Sequence, residues 1–309
     1  MNTFGKQFAF TSFGESHGRA IGGVLDGVPA GLHIDLDLIR NELNRRAGRT
    51  EKGMQEGGSP RAAREEDKVE WLSGVLDGVT LGTPIAFIIR NTDARSEDYE
   101  WLKHTFRPGH ADFTYEQKYG FRDYRGGGRA SARETVSRVV AGCIARQILA
   151  MRGIRIHAEL VQVGNEKHKE HFDEYIAAIR TQGDSIGGIV RCTITGLPAG
   201  MGNPIFDKLQ SHLAYAMMSI NACKGFDYGS GFEGVGLSGS EANRLSGGIA
   251  GGISDGTPLV FRCVFKPTPS TPLALRAIHP NAKGRFDACV AVRAVPIVEA
   301  MAALVLINE

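Results

Sequence analysis

The chain has 309 residues, 42% of them hydrophobic and 8% aromatic, enough for two core-forming units or one large domain and too apolar for a disordered chain. With 36 basic residues against 34 acidic the net charge is only +2, so the global basicity that drives nucleic-acid binding is absent and any positive site must be local. No apolar run approaches a membrane span, and residues 1–7 lack a charged region followed by an apolar segment; the expectation is a cytoplasmic protein with neither membrane nor nucleic-acid partner.

In chain order, the first segment that can carry chemistry is Gly14-Glu15-Ser16-His17-Gly18, after the β-like run 8–13. A carboxylate, a hydroxyl and an imidazole between glycines suit an exposed catalytic turn, with histidine as proton donor near neutral pH, although a plain turn would look the same. Leu36, Ile39 and Leu43 then predict a helix over 35–46. Residues 85–89 form a short apolar β-type run.

Between Phe106 and Arg138 stand six arginines, one histidine and five glycines, in a run that includes Arg107-Pro-Gly-His110-Ala-Asp112 and Arg125-Gly-Gly-Gly-Arg129-Ala-Ser131-Ala-Arg133-Glu134. Successive glycines allow positive φ and close backbone approach to a ligand. Ser131-Ala-Arg-Glu134 reads as a capping box opening a helix whose apolar face is Val136, Val140, Cys143, Ile144 and Ile148. The arginines therefore converge on a helix N-terminus, where free N–H groups and the macrodipole favour anions.

Further on, His168-Lys-Glu-His171 lies in a lysine-rich helix start and reads as a solvated surface, so no metal site is expected. Residues 189–195 and 259–265 are β-type, while 204–218 and 296–306 are helical, the latter opening on a proline. Gly229-Ser-Gly231-Phe-Glu-Gly234 matches a dinucleotide fingerprint in letters only, because no helix pattern follows. The five cysteines lie far apart in small or apolar surroundings and read as buried.

An internal echo runs through the chain. Gly74, Gly78, Gly82, Thr83, Pro84 and Phe87 recur at identical spacing as Gly248, Gly252, Gly256, Thr257, Pro258 and Phe261, and Gly128-Arg129 has a counterpart in Gly284-Arg285. The pattern suggests a duplicated strand–loop–helix unit, with halves at roughly 1–150 and 151–309 of a single domain.

Taken together, Phe13-Gly-Glu-Ser-His17-Gly, Arg107-Pro-Gly-His110-Ala-Asp, Asp123-Tyr-Arg-Gly-Gly-Gly-Arg129 with Ser131-Ala-Arg-Glu-Thr135, Met218-Ser-Ile-Asn221-Ala, Lys266-Pro-Thr-Pro-Ser270, and Gly284-Arg285-Phe-Asp287 through Arg293-Ala-Val-Pro closely resemble chorismate synthases, almost end to end. The resemblance implies an α+β fold, a β-α-β sandwich with internal pseudo-twofold duplication, assembled as a homotetramer. It implies conversion of 5-enolpyruvylshikimate-3-phosphate to chorismate and phosphate by 1,4-elimination, with reduced FMN, closing the shikimate pathway of aromatic amino-acid biosynthesis. NADPH-dependent reduction of the flavin is compatible with it. His17 would protonate the reduced flavin, His110 would assist the departing phosphate, and Asp287 would help take the C6 proton. Arg129, Ala130, Ser131, Asn221, Ala222, Gly251, Lys266, Pro267, Thr268, Pro269, Ser270 and Arg285 would meet the flavin. Arg46, Arg107, Arg125 and Arg133 are the candidates for the substrate or NADP, because planar guanidinium forks grip phosphate and carboxylate bidentately. The competing reading of the arginine-rich segment is a non-catalytic phosphate- or RNA-binding module.

Against the family pattern, Ala130 and Ala288 replace a usual serine and proline. The chain is also short after Gly164, around Asn243-Arg244 and between Pro272 and Lys283. The favoured expectation is that connections near Asn243 and Pro272 are missing from the sequence, so that flanking Cα atoms stand farther apart than the roughly 3.8 Å of a trans peptide.

Overall fold

The computed structural model describes residues 1–50, 53–56, 66–92, 96–278 and 286–309. The elements that place the site are β1 (Thr3–Phe4), β2 (Ala9–Phe13), β3 (Ala20–Asp26), α1 (Leu36–Ala47), β4 (Val69–Trp71), β5 (Ile85–Arg90), α2 (Asp112–Tyr119) and α3 (Thr135–Met151). There follow β6 (Arg155–Val163), α4 (Phe172–Thr181), β7 (Gly188–Thr195), α5 (Leu209–Met218), β8 (Cys223–Tyr228), β9 (Leu259–Phe265) and α6 (Ala291–Leu306). One antiparallel sheet runs in the order β1-β2-β3-β5-β4 and a second in the order β6-β7-β9-β8.

The inner strands alternate in burial as half-buried strands must: Ile85, Phe87 and Ile89 of β5 and Leu259, Phe261, Cys263 and Phe265 of β9 turn inward. Helix α3 packs on the first sheet, α6 on the second, and α3 against α6, with α1 beside both helices. One hydrophobic cluster runs through both halves, so the sheets sandwich a shared helical layer. The five cysteines are buried in it or at its edge.

The echo is structural. Each half carries a two-stranded hairpin, Val75–Leu76 with Val79–Thr80 and Ile249–Ala250 with Ile253–Ser254, just before its inner strand. Their two-residue turns, Asp77-Gly78 and Gly251-Gly252, all have positive φ (50°, 78°, 62° and 101°), the geometry that matches strand twist. Each hairpin is pinned alike. Thr80 Oγ1 donates to Pro29 O at 2.6 Å and accepts from Leu32 N, while Ser254 Oγ donates to Pro198 O at 2.6 Å and accepts from Met201 N. The pinned loops are themselves repeated, Gly27-Val-Pro-Ala-Gly31 and Gly196-Leu-Pro-Ala-Gly200.

Some helix bounds differ from those the sequence suggests. Helix α5 starts at Leu209, after an irregular stretch 204–208. Helix α6 starts at Ala291, five residues ahead of Pro296; burial of Ala291, Val292 and Ala294 stabilises turns that the proline alone does not mark. Ser131 caps a short turn, Ala132–Glu134, by accepting from Arg133 N; the Glu134 carboxylate pairs with Arg138 instead of closing a capping box. Ser238 does open one turn of helix after the Gly229–Gly234 segment, with a capping box to Glu241.

At Asn243–Arg244 the N–H groups of Asn243, Arg244 and Leu245 donate to the Gly239, Glu241 and Ala242 carbonyls, so the connection is one helical turn. The backbone is likewise closed after Gly164, where Glu166 N donates to Val163 O. Of the third short stretch, residues 279–285 lie outside the described residues.

Candidate active site

A cleft of about 1550 Å³ opens where the halves meet. Its walls are the turn 14–17 after β2, the arginine-rich run up to the start of α3, the turn after α5, the loop after β9 and the approach to α6. Eight arginines and Lys266 line it, interleaved with Glu15, Glu100, Asp112, Asp123, Glu134 and Asp287. The arginines thus face a shaped cavity among carboxylates, unlike the exposed basic face that nucleic-acid binding by the same segment would need.

The two histidines enter from different segments onto one turn. Ser16 N donates to Gly128 O and Ser16 Oγ to Gly126 O, which lays the 14–17 turn on the triple glycine. His17 meets the edge of Tyr99, ring centroids 4.9 Å apart. His110 sits with Nδ1 2.9 Å from Asp112 Oδ1 and 3.1 Å from Arg107 Nη2. Asp112 is buried; desolvation alone would raise its pKa, but hydrogen bonds and charge from Arg107 and His110 hold it well below the usual carboxylate range. An imidazolium at His110 would point Nδ1–H at this fixed carboxylate.

The candidate arginines divide by burial. Arg129 donates to Gly14 O and to Ser12 Oγ, tying the helix start to β2. Arg125 forks onto Asp123 at 2.8 and 3.0 Å and stays 41% exposed. Arg133 bonds Asn91 Oδ1 and pairs with the buried Asp67. Arg46 is 1% exposed and spends its donors on Thr135 Oγ1, Ala132 O and Asp67. Burial, then the positive charge of Arg293, brings its pKa down to about 9, with Asp67 opposing. Arg46 therefore borders the cleft as a buried residue whose donors support the turn that opens α3.

Across the cleft, Asp287 carries the ion pair to Arg293, whose Nε donates to Arg46 O. Thr268 Oγ1 donates to Asp287 O, joining the loop after β9 to the approach to α6. Ala222 is held at φ 66° and its carbonyl accepts from Lys266 N, a left-handed residue over-determined by its surroundings. Asn221 Nδ2 donates to Ala130 O. Asn221 Oδ1 and Ser270 Oγ are buried polar atoms with no hydrogen-bond partner among the described residues, and both residues line the cleft. Such atoms are costly unless something fills the cleft and meets them.

Of the sequence candidates, His17, His110, Asp287, Arg46, Arg107, Arg125, Arg129, Ala130, Ser131, Arg133, Asn221, Ala222, Lys266, Thr268, Pro269 and Ser270 all line this cleft. Pro267 is exposed and outside the lining, and Gly251 belongs to the tip of its hairpin, where the turn geometry accounts for it. Arg285 lies outside the described residues. Sequence reasoning did not single out Tyr99, Asp67 or Ser12, and gave Asp112 and Arg293 no role. Asp112 had a local signal, two residues after His110; Asp67 and Ser12 reach their arginines only through the fold.

The chain is an α+β sandwich with a repeated hairpin unit and a cationic, histidine-bearing cleft suited to an anionic ligand. The model of the chorismate synthase family matches residues 8–309, and the chain belongs to that family. It is 47% identical to the chorismate synthase of Christiangramia forsetii, with 99% of this chain and 96% of that one covered. It is 45% identical to that of Phocaeicola vulgatus, covering 99% and 97%. The first alignment runs over 348 residues, so that relative carries internal residues this chain lacks. A crystal structure of a chorismate synthase superposes with a TM-score of 0.76 at 30% identity, covering 98% of this chain and 91% of that one. The activity is the elimination of phosphate from 5-enolpyruvylshikimate-3-phosphate to give chorismate, a step of aromatic amino-acid biosynthesis.

Proposed function

We propose that the cleft holds reduced FMN together with the substrate, and that His17, His110 and Asp287 handle the protons. The volume supports two occupants, since single-ligand pockets run to roughly 300–1,000 Å³ and this one holds about 1550 Å³. The observation that carries the flavin assignment is the pair of unpartnered atoms, Asn221 Oδ1 and Ser270 Oγ, in two of the segments the resemblance gives to the cofactor. A flavin offers ring N–H, ribityl hydroxyls and phosphate to such groups. Ala130, where relatives have serine, keeps its carbonyl on Asn221.

When bound, reduced FMN supplies transient electron density as phosphate leaves and recovers it afterwards, so there is no net redox change. His17 holds a proton toward the cofactor. His110, backed by Asp112, gives one to the leaving phosphate, and Asp287, oriented by Arg293, helps take the C6 proton. Arg107, Arg125, Arg129 and Arg133 neutralise and orient the anionic groups, with Arg46 supporting them and bordering any NADP. The halves work as one domain because both line the cleft. Assembly as a homotetramer, NADPH as the source of flavin reduction, a cytoplasmic location and the absence of nucleic-acid and membrane partners complete the reading; among the described residues no helix is long and apolar enough to cross a membrane.

Titration of FMN under anaerobic reduction tests the assignment. Wild type is expected to bind it, and Asn221→Leu and Ser270→Ala to weaken binding roughly tenfold each, the cost of one lost polar contact. Unchanged affinity in both variants would contradict the placement.

A further inference from the structure

The three glycines 126–128 are all left-handed, with φ of 61°, 85° and 53°, but they do not have the same neighbours. A Cβ at Gly126 would stand 2.4 Å from His17 Cδ2 and 2.5 Å from its Nε2. A Cβ at Gly127 would stand 2.6 Å from His110 Cε1, 3.0 Å from its Nε2 and 3.2 Å from Arg107 Nη2. At Gly128 the nearest atom, Asp123 Cβ, would lie at an ordinary 3.5 Å. So two successive residues each leave the room that one imidazole occupies.

We infer that Gly126 and Gly127 are positioning residues for the reaction, Gly126 for His17 and Gly127 for His110, and that together they set the offset between the two rings. The inference deepens the proton-donor reading of the histidines and rests on it. The physical argument is one of contact. At both positions the three nearest atoms belong to side chains and the ring atoms are the closest, so a methyl group must first displace the ring. The rings are seated on Cα atoms one peptide apart, about 3.8 Å, and a displacement of about 1 Å at a proton donor can cost roughly 100-fold in rate. Positive φ alone would explain glycine at all three positions; it does not explain why two of the three carry histidines where a side chain would be.

The test compares Gly126→Ala and Gly127→Ala with Gly153→Ala. Gly153 follows α3 at φ 82° with no atom within 4 Å of its would-be Cβ, so it reports the strain of alanine in this conformation without a ring contact. With saturating reduced FMN and anaerobic assay, the expectation is a roughly 100-fold fall in kcat for each cleft variant, a small change in KM, and wild-type kcat for Gly153→Ala at comparable loss of Tm. Each variant is then made in the matching histidine background: Gly126→Ala should cost His17→Ala nothing further, and Gly127→Ala should cost His110→Ala nothing further. Wild-type kcat in the glycine variants, or the same fold-loss with and without the histidine, overturns the positioning role while the donor reading stands. Near wild-type turnover in the histidine variants themselves overturns the donor reading and this inference with it.

Discussion

Arg107 holds Asp112 by two parallel hydrogen bonds, Nε to Oδ2 at 2.9 Å and Nη2 to Oδ1 at 2.8 Å, with both side chains buried. The same Oδ1 faces His110 Nδ1, so one carboxylate orders a guanidinium and an imidazole of the cleft at once. Asp112→Asn should lower kcat by about 10- to 100-fold with intact folding, because His110 Nδ1 loses the carboxylate that orients the ring. Turnover equal to wild type would show that His110 works without it.

The same carboxylate links stability to pH. Its pKa is depressed in the folded chain, so between the folded and unfolded values the unfolded state binds more protons and stability rises with pH. Its contribution should be complete above the unfolded value of about 3.9 and fade as pH falls toward the lower folded value. Urea unfolding of wild type and Asp112→Asn across the acid range should show the two curves converging as pH drops. Parallel curves would contradict the assigned pairing.

His17→Ala and His110→Ala should each lower turnover by roughly two to four orders of magnitude with saturating reduced FMN, the range for a positioned proton donor. Neither should shift the unfolding midpoint by much, since both rings border the cleft. A variant that keeps near wild-type turnover loses its acid role.

Asp67 joins Arg46 and Arg133 in a buried group. Asp67→Asn removes the shared negative charge and should destabilise the fold by about 3–5 kcal/mol, the cost of an uncompensated buried charge. Inorganic phosphate should restore part of the lost Tm if the arginines face an anion site; no recovery would mean the cluster is closed to ligands.

Asn308 ties the two ends of the chain: its Oδ1 accepts from Lys6, Gln7 and Phe8 N–H at 2.9 to 3.1 Å, and its Nδ2 donates to Phe8 O and Leu304 O. The segment it anchors runs into Met1–Phe4 at the cleft wall. Asn308→Ala should cost about 1–3 kcal/mol in urea unfolding. Unfolding indistinguishable from wild type would rule out the clasp.

Much of the site was legible because its chemistry is local in sequence. The arginines and glycines of 107–133 carry their function in residue type and spacing, and α3 announced itself by its apolar period. The hairpin echo was legible because its turns need glycine at fixed steps. What stayed hidden depends on chain segments that meet only after folding. Arg129 finds Ser12, and Arg46 finds Thr135 and the Ala132 carbonyl, because α1 packs against α3 and α6. Gly251 sits at its hairpin's tip outside the cleft lining, where a glycine required by its turn looks the same in sequence as one required by a ligand.

Flavin-assisted elimination of phosphate in this cleft can be followed by mixing the protein anaerobically with 5-enolpyruvylshikimate-3-phosphate and measuring phosphate and chorismate together. Equal amounts of both are expected over many turnovers when reduced FMN is present, with no net oxidation of the flavin and no release with oxidised FMN. Release that is indifferent to the flavin's redox state, or no release with reduced FMN and wild-type protein, would contradict it.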